Sequence, residues 1–230
     1  VAKVVTLELV SPKGIVTTHA MIYQNLGVWR LVVENDLEGY RYRYHVYVNG
    51  KTQILTDPYG IPSNANAEYN YIVDLSKTYQ MKHKASFSGH PSDAVIYEMH
   101  VRDFTIDSNL NFKHPGQYLG LTEKNIKTKS GLPAGIDYLK SLGVTHVQLM
   151  PVFDFDGIDE LHPSQLYNWG YNPRQYNVPS GWFSTDPNDP YARINELKQM
   201  IDALHEYNIN VVMDVVYNHV YDAEVFPLRN

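Results

Sequence analysis

The sequence predicts a multidomain β plus α/β chain, a small β-sandwich followed by the first three βα units of a (β/α)8 TIM barrel. Three observations carry that expectation. Residues 1–82 are β-branched and aromatic runs separated by turn residues. Residues 93–230 switch to strand, loop, helix, strand. The segments after the first two of those strands, 103–132 and 153–188, far exceed the usual connection of about 2 to 6 residues. Three such strands suit either a doubly wound sheet or a barrel, and the long loops at their carboxyl ends favour the barrel. No glycine-rich phosphate turn follows the first strand, which disfavours a nucleotide fold.

In the β module, strands are expected over 4–10, 27–33 and 40–48, with turns at Asn49-Gly50 and Asp57-Pro58-Tyr59-Gly60. Residues 40–45 alternate tyrosine with polar side chains, so one face is aromatic and the other polar. Residues 83–92 are polar with Gly and Pro and read as a linker. Beyond them, 94–101 is a strand, and 133–142 is a short helix closed by Gly143 in the left-handed conformation. A second strand spans 144–152. Asp189 caps a further helix with Pro190 at its first position, and Ile194, Leu197, Met200, Ile201 and Leu204 share one face. The apolar run 209–216 suits a parallel strand buried on both faces.

Composition narrows the function. The net charge of −6 and the lack of a Lys/Arg run argue against nucleic acid and anionic membranes as partners. No run of about 18 apolar residues or secretory leader is present, and zero Cys removes disulfides and thiolate metal sites. The chain starts on Val1, as a piece of something longer would, and its compartment stays open. Nineteen Tyr and three Trp suit stacking on sugars but equally suit a β core.

Several clusters can carry chemistry. The third strand delivers Asp214, Asn218 and His219 to its carboxyl tip. The long second loop holds YNWGYNP (167–173), with rigid aromatics around Gly170. Glu98, His100 and Arg102 alternate along the first strand, so they are expected on one side as mutual partners supporting a site from beneath. Asp154, Asp156, Asp159 and Glu160 read as solvated loop charges. The ten His are scattered without metal-binding spacing, and no Gly-x-Ser-x-Gly elbow is present.

Together, YEMHVRDF (97–104), GVTHVQLMPVFDF (143–155), YNWGYNP and MDVVYNH (213–219) resemble the alpha-amylase superfamily of glycoside hydrolases, most closely its type I pullulanases, which cleave α-1,6 branch linkages. QYLGLTE (117–123) is also similar to that group, and the β module resembles its starch-binding-type sandwich, lacking the first strands. The resemblance implies an α-glucan substrate and a retaining double displacement. In it Tyr171 stacks beneath the sugar ring, His219 hydrogen-bonds the sugar, Asp214 supports the site, and Trp169 and Asn168 belong to the substrate surface. Asn218 matches a position used for calcium in many amylases, a use too inconsistent among debranching enzymes to claim a metal or any other cofactor.

Asn172 stands where the family commonly has Asp, keeping shape and losing charge. The resemblance places the nucleophile and the acid/base beyond Asn230, so no catalytic carboxylate is assigned within the chain. Three strands cannot close a barrel, so the chain is expected to be inactive alone and to need the C-terminal barrel portion as a partner. A glucan branching enzyme and a non-catalytic carbohydrate-binding module are the alternative readings.

Overall fold

The computed structural model describes residues 2–222. In the β module, β1 (Val4–Val10), β2 (Val16–Ala20), β5 (Arg41–Val48) and β6 (Lys51–Leu55) form an antiparallel sheet in the order β2-β1-β5-β6, and β7 (Asn70–Tyr71) pairs with β5. Asn49 and Gly50 both take positive φ, 51° and 80°, and this two-residue turn sets Val48 opposite Lys51. The alternation along β5 puts Tyr42 and Tyr44 on one face, where both are half-buried. On the other, Arg43 donates to Glu8 at 3.0 Å, His45 lies 2.7 Å from it, and Tyr69 Oη donates to it at 2.8 Å.

The strand expected over 27–33 shrinks to β4 (Trp29–Arg30), paired with β3 (Ile22–Tyr23) in a hairpin outside the main sheet. Leu26 and Gly27 turn the chain with positive φ, and no other strand among the described residues pairs with 31–33. A β pattern without a partner cannot satisfy its backbone as a strand.

In the second part, β8 (Ile96–Met99), β9 (His146–Leu149) and β12 (Asn210–Met213) are parallel, in the order β12-β9-β8. Each residue 96–99 aligns with 146–149 and 210–213 in turn, so side chains stand in rows across the sheet. One row set, Tyr97, Met99, Val147, Leu149 and Val211, packs on the helices α2 (Ile136–Leu142) and α3 (Ala192–Glu206) through Ile136, Leu139, Met200 and Leu204. The opposite face, with Ile96, Glu98 and Val212, is open to solvent, so β12 is not buried on both faces as its apolar run suggests. Gly143 ends α2 in the left-handed conformation at φ 70°.

Helix α3 starts later than expected. Its first helical residue is Ala192, because the Asp189 carboxylate accepts from Tyr191 N at 2.8 Å and its carbonyl from Ala192 N at 3.3 Å, forming a turn that precedes the helix. The segment expected as a linker is tied down: Asp202 of α3 accepts from the backbone N–H groups of Lys82 and His83 at 2.9 and 2.7 Å, and Asn208 from Ser86 N at 3.0 Å.

Two short strands, β10 (Phe153–Phe155) and β11 (Pro173–Pro179), pair antiparallel beside the parallel sheet and bracket a loop, 156–172. The acidic residues here are not all solvated. Asp154 and Glu160 are buried at 2 % and 3 % exposure, while Asp156 and Asp159 are partly exposed. Glu160 pairs with fully buried Arg193 of α3 at 3.0 Å and accepts from Gly181 N at 2.6 Å and Asn66 N at 3.0 Å. Arg193 also donates to Ser63 Oγ and to the carbonyls of Pro179 and Pro187, at 2.7 to 3.1 Å. A Cβ on Gly181 would lie 2.4 Å from the guanidinium, so only glycine fits beside the pair. Sequence pattern misses this because Arg193 and Glu160 meet only through the tertiary fold.

Removing one partner of such a pair leaves an uncompensated buried charge. Arg193→Ala should therefore lower unfolding free energy by about 3 to 5 kcal/mol, measured by urea denaturation.

Candidate functional site

The loop between β10 and β11 is pinned at its base, where Asp156 N donates to the Asn172 carbonyl at 2.9 Å and Arg174 lies 3.5 Å from the Asp156 carboxylate. Asn168 spans the loop, its Nδ2 donating to the Asp156 carbonyl at 3.0 Å and its Oδ1 accepting from Gly170 N at 3.0 Å. Gly170 has φ 95°, and an added Cβ would lie 2.9 Å from Pro151, so the hinge in this motif requires glycine.

This turn delivers Tyr171 to the tip of β12. Tyr171 Oη donates to Asp214 Oδ2 at 2.7 Å. The Tyr171 carbonyl accepts from His219 Nε2 at 2.9 Å, while Asn218 Nδ2 donates to His219 Nδ1 at 3.1 Å. These two bonds together fix the orientation of the His219 ring. Burial, with the Asp214 carboxylate beside it, pushes the Tyr171 hydroxyl up to about 12, so it stays a donor. The structure therefore brings Tyr171, Asp214, Asn218 and His219 together from two elements 43 to 48 residues apart.

Trp169 is 58 % exposed, and its Nε1 donates to Tyr167 Oη at 3.0 Å. Tyr167 Oη in turn donates to Asp103 Oδ2. Neither Asp103 nor Tyr167 was singled out by sequence, although both stand inside the motifs; the signal is an exposed tyrosine two residues before an exposed tryptophan. Tyr176 of β11 was missed too, and it donates to the His219 carbonyl at 2.9 Å.

The support expected from Glu98, His100 and Arg102 is differently arranged. The strand stops at Met99 and α1 (Val101–Thr105) begins at once, so the period of two that would align the three side chains ends there. Glu98 stays on the open sheet face and accepts from Gln148 at 3.2 Å. Arg102 pairs with Asp103 at 3.3 Å and lies over the Tyr167 ring at 5.6 Å. His100 reaches the loop by a hydrogen bond, capping α1 by accepting from Asp103 N and donating through Nε2 to the Asn168 carbonyl at 3.2 Å. No group of three or more His, Asp or Glu that could hold a metal occurs among the described residues.

Comparison with known proteins places this arrangement. The model "Alpha amylase, catalytic domain" matches residues 115–227, and "Carbohydrate-binding module 48 (Isoamylase N-terminal domain)" matches residues 1–60. Residues 115–227 belong to the alpha-amylase family. Within that family the chain's likeness is to type I pullulanases. It is 41% identical over 225 residues to the pullulanase of Bacillus subtilis, covering 97% of this chain and 31% of that protein. The pullulanase of Anoxybacillus sp. LM18-11, solved with maltotetraose, superposes with a TM-score of 0.95 at 46% identity, covering 98% of this chain and 33% of the other. That of Paenibacillus barengoltzii, solved with maltohexaose and alpha-cyclodextrin, gives a TM-score of 0.93 at 39% identity over 98% of this chain and 36% of the other. The chain thus spans about a third of these relatives.

Burial lowers the His100 imidazole below its ordinary 6.5, against the upward pull of Asp103 and with a smaller downward push from Arg102. Both folded and unfolded forms are neutral above 6.5. As pH falls below that, the unfolded state takes up the proton first, so this contribution to stability is lost with acidification. Asp154 has the opposite sign: burial and nearby Glu160 raise it to about 7, and stability falls as pH rises from 3.8 through that value. His100→Gln should therefore lose less stability than the parent chain between about pH 7 and pH 5, checked by paired denaturation curves.

Proposed function

We propose that this chain forms the glucan-holding side of the active site of an α-1,6 debranching glycoside hydrolase. The observation that carries the reading is the junction of Tyr171, Asp214 and His219, which fixes an aromatic ring and an imidazole at the carboxyl end of a parallel strand. Active sites of (β/α)8 barrels lie at that end. The structural neighbours solved with maltotetraose, maltohexaose and alpha-cyclodextrin are pullulanases, and they support an α-glucan as the ligand. Exposed Trp169 adds a flat apolar surface at the rim, suited to a pyranose face.

Retaining hydrolysis needs two carboxyl groups about 5 to 5.5 Å apart, one nucleophilic and one acid/base. The carboxylates near this junction have other partners. Asp214 holds Tyr171, Asp103 holds Tyr167, and Glu160 is locked against Arg193. In this reading the catalytic pair comes from barrel strands additional to the three described, which also cover the open sheet face. Asn218 is read as orienting His219, and the partly buried Asn172 as a loop position.

The match to a carbohydrate-binding module over residues 1–60 favours a second reading, in which the β module is the working part. Its groove of about 380 Å³, lined by Tyr42, Tyr44, Tyr59 and Tyr71, is the corresponding surface.

Calorimetric titration with maltotriose separates the two. Tyr171→Ala and His219→Ala should each weaken binding at least about tenfold, a loss of about 1.4 kcal/mol, while Trp29→Ala leaves it unchanged. Binding lost on changing Trp29 or Tyr59 but kept in the first two variants would favour the β module. The chain alone is expected to release no maltotriose from pullulan.

A further inference from the structure

We propose that Asn66, in the β module, is a positioning residue for the sugar-holding loop, fixing through Asp159 and Glu160 the arm that carries Asn168, Gly170 and Tyr171. The inference rests on the reading of that loop as part of a glucan site, and it gives the β module a role within the site itself.

The first observation is backbone strain. Asn66 and Ala67 are consecutive non-glycine residues with positive φ, 58° and 53°. Asparagine adopts this conformation readily; alanine does not, so the surroundings must hold the turn in place. The second is what holds it. Asn66 N donates to Glu160 Oε2 at 3.0 Å, Asn66 Nδ2 donates to Asp159 Oδ1 at 3.0 Å, and Glu160 N donates to Asn66 Oδ1 at 2.9 Å. A single residue thus exchanges hydrogen bonds with Glu160 in both directions and donates a third to the preceding Asp159. Among the described residues, every hydrogen bond from the β module to loop 156–172 is made by Asn66.

The clamped arm leads directly to the site. Ile158 packs on the core, and Gly157, with φ 82°, lies so close beneath Asn168 that an added Cβ would be 2.7 Å from its amide. The Asp156 carbonyl then accepts from Asn168, whose other amide atom fixes Gly170 N. A shift at Asp159 and Glu160 would therefore pass through a tightly packed turn to the residue before Tyr171. His100 and Asp214 hold the same segment from the barrel side, so the sugar-holding turn is gripped between the two parts of the chain.

The test is amide hydrogen exchange on the chain, read alongside maltotriose titration. Asn66→Gly keeps the left-handed backbone and the backbone N–H bond to Glu160, and deletes the two side-chain bonds of the clamp, to Asp159 and from Glu160 N. It should speed exchange across 156–172 about tenfold, leave β1, β5 and β9 unchanged, and weaken maltotriose about tenfold. Asp159→Ala should act in the same direction, whereas Asp159→Asn, whose amide oxygen still accepts, should restore parent behaviour. Unaltered loop exchange in Asn66→Gly overturns the proposal. So does faster exchange with unaltered affinity, which reduces Asn66 to a fold contact. A parent chain that binds no maltotriose defeats the glucan reading instead, and the exchange rates still decide whether Asn66 holds the loop.

Discussion

The buried pair of Glu160 and Arg193 is the constraint on which the arrangement turns. Between them these residues bind the turn at Ser63 and Asn66, the loop 156–172, the end of β11, and α3. An isolated buried ion pair contributes little net stability, because desolvation cancels most of the attraction. Its effect is instead to admit one arrangement: each lone pair and N–H engaged here has a partner only when the β module, the loop and α3 meet in this geometry. Arg193 Nε and Asp154 Oδ2 remain without a protein partner, so the seam is not uniformly satisfied.

From that seam the loop runs outward to the tip of β12, where local constraints take over. Gly157 and Gly170 permit close approach, Asn168 braces the two arms, and Asp214 and His219 receive Tyr171. The parallel sheet supplies the rigid floor. Its helix-facing side is packed to near-zero exposure at Val147 and Leu149 of β9, and Asp214 N donates to the Leu149 carbonyl at 3.0 Å, which ties the more exposed tip of β12 to that buried strand.

Much of this was legible in the sequence where a local rule decides. Asn49-Gly50 fixes a two-residue hairpin whatever surrounds it, Gly143 ends a helix, and the apolar run before Asp214 makes a parallel strand. YNWGYNP and MDVVYNH pointed to two surfaces, and the fold joins them. What escaped depends on partners far away in sequence. Glu160 sits among acidic loop residues that look solvated, and only the approach of Arg193, 33 residues later, makes it a buried ion. Asn66 is unremarkable in a polar turn until its partners 93 and 94 residues away are in place. The residues around His100 misled by alternation, since a strand of four residues followed at once by a helix breaks the period within the motif.

Sugar is proposed to be held where loop 156–172 meets the tip of β12. A crystal structure of the chain grown with maltotriose tests it most directly. The account predicts a glucose ring lying against Tyr171, with a sugar hydroxyl within hydrogen-bond reach of His219. A maltotriose ordered only on the tyrosines of the β module, with the Tyr171 and His219 surface left bare, would contradict it.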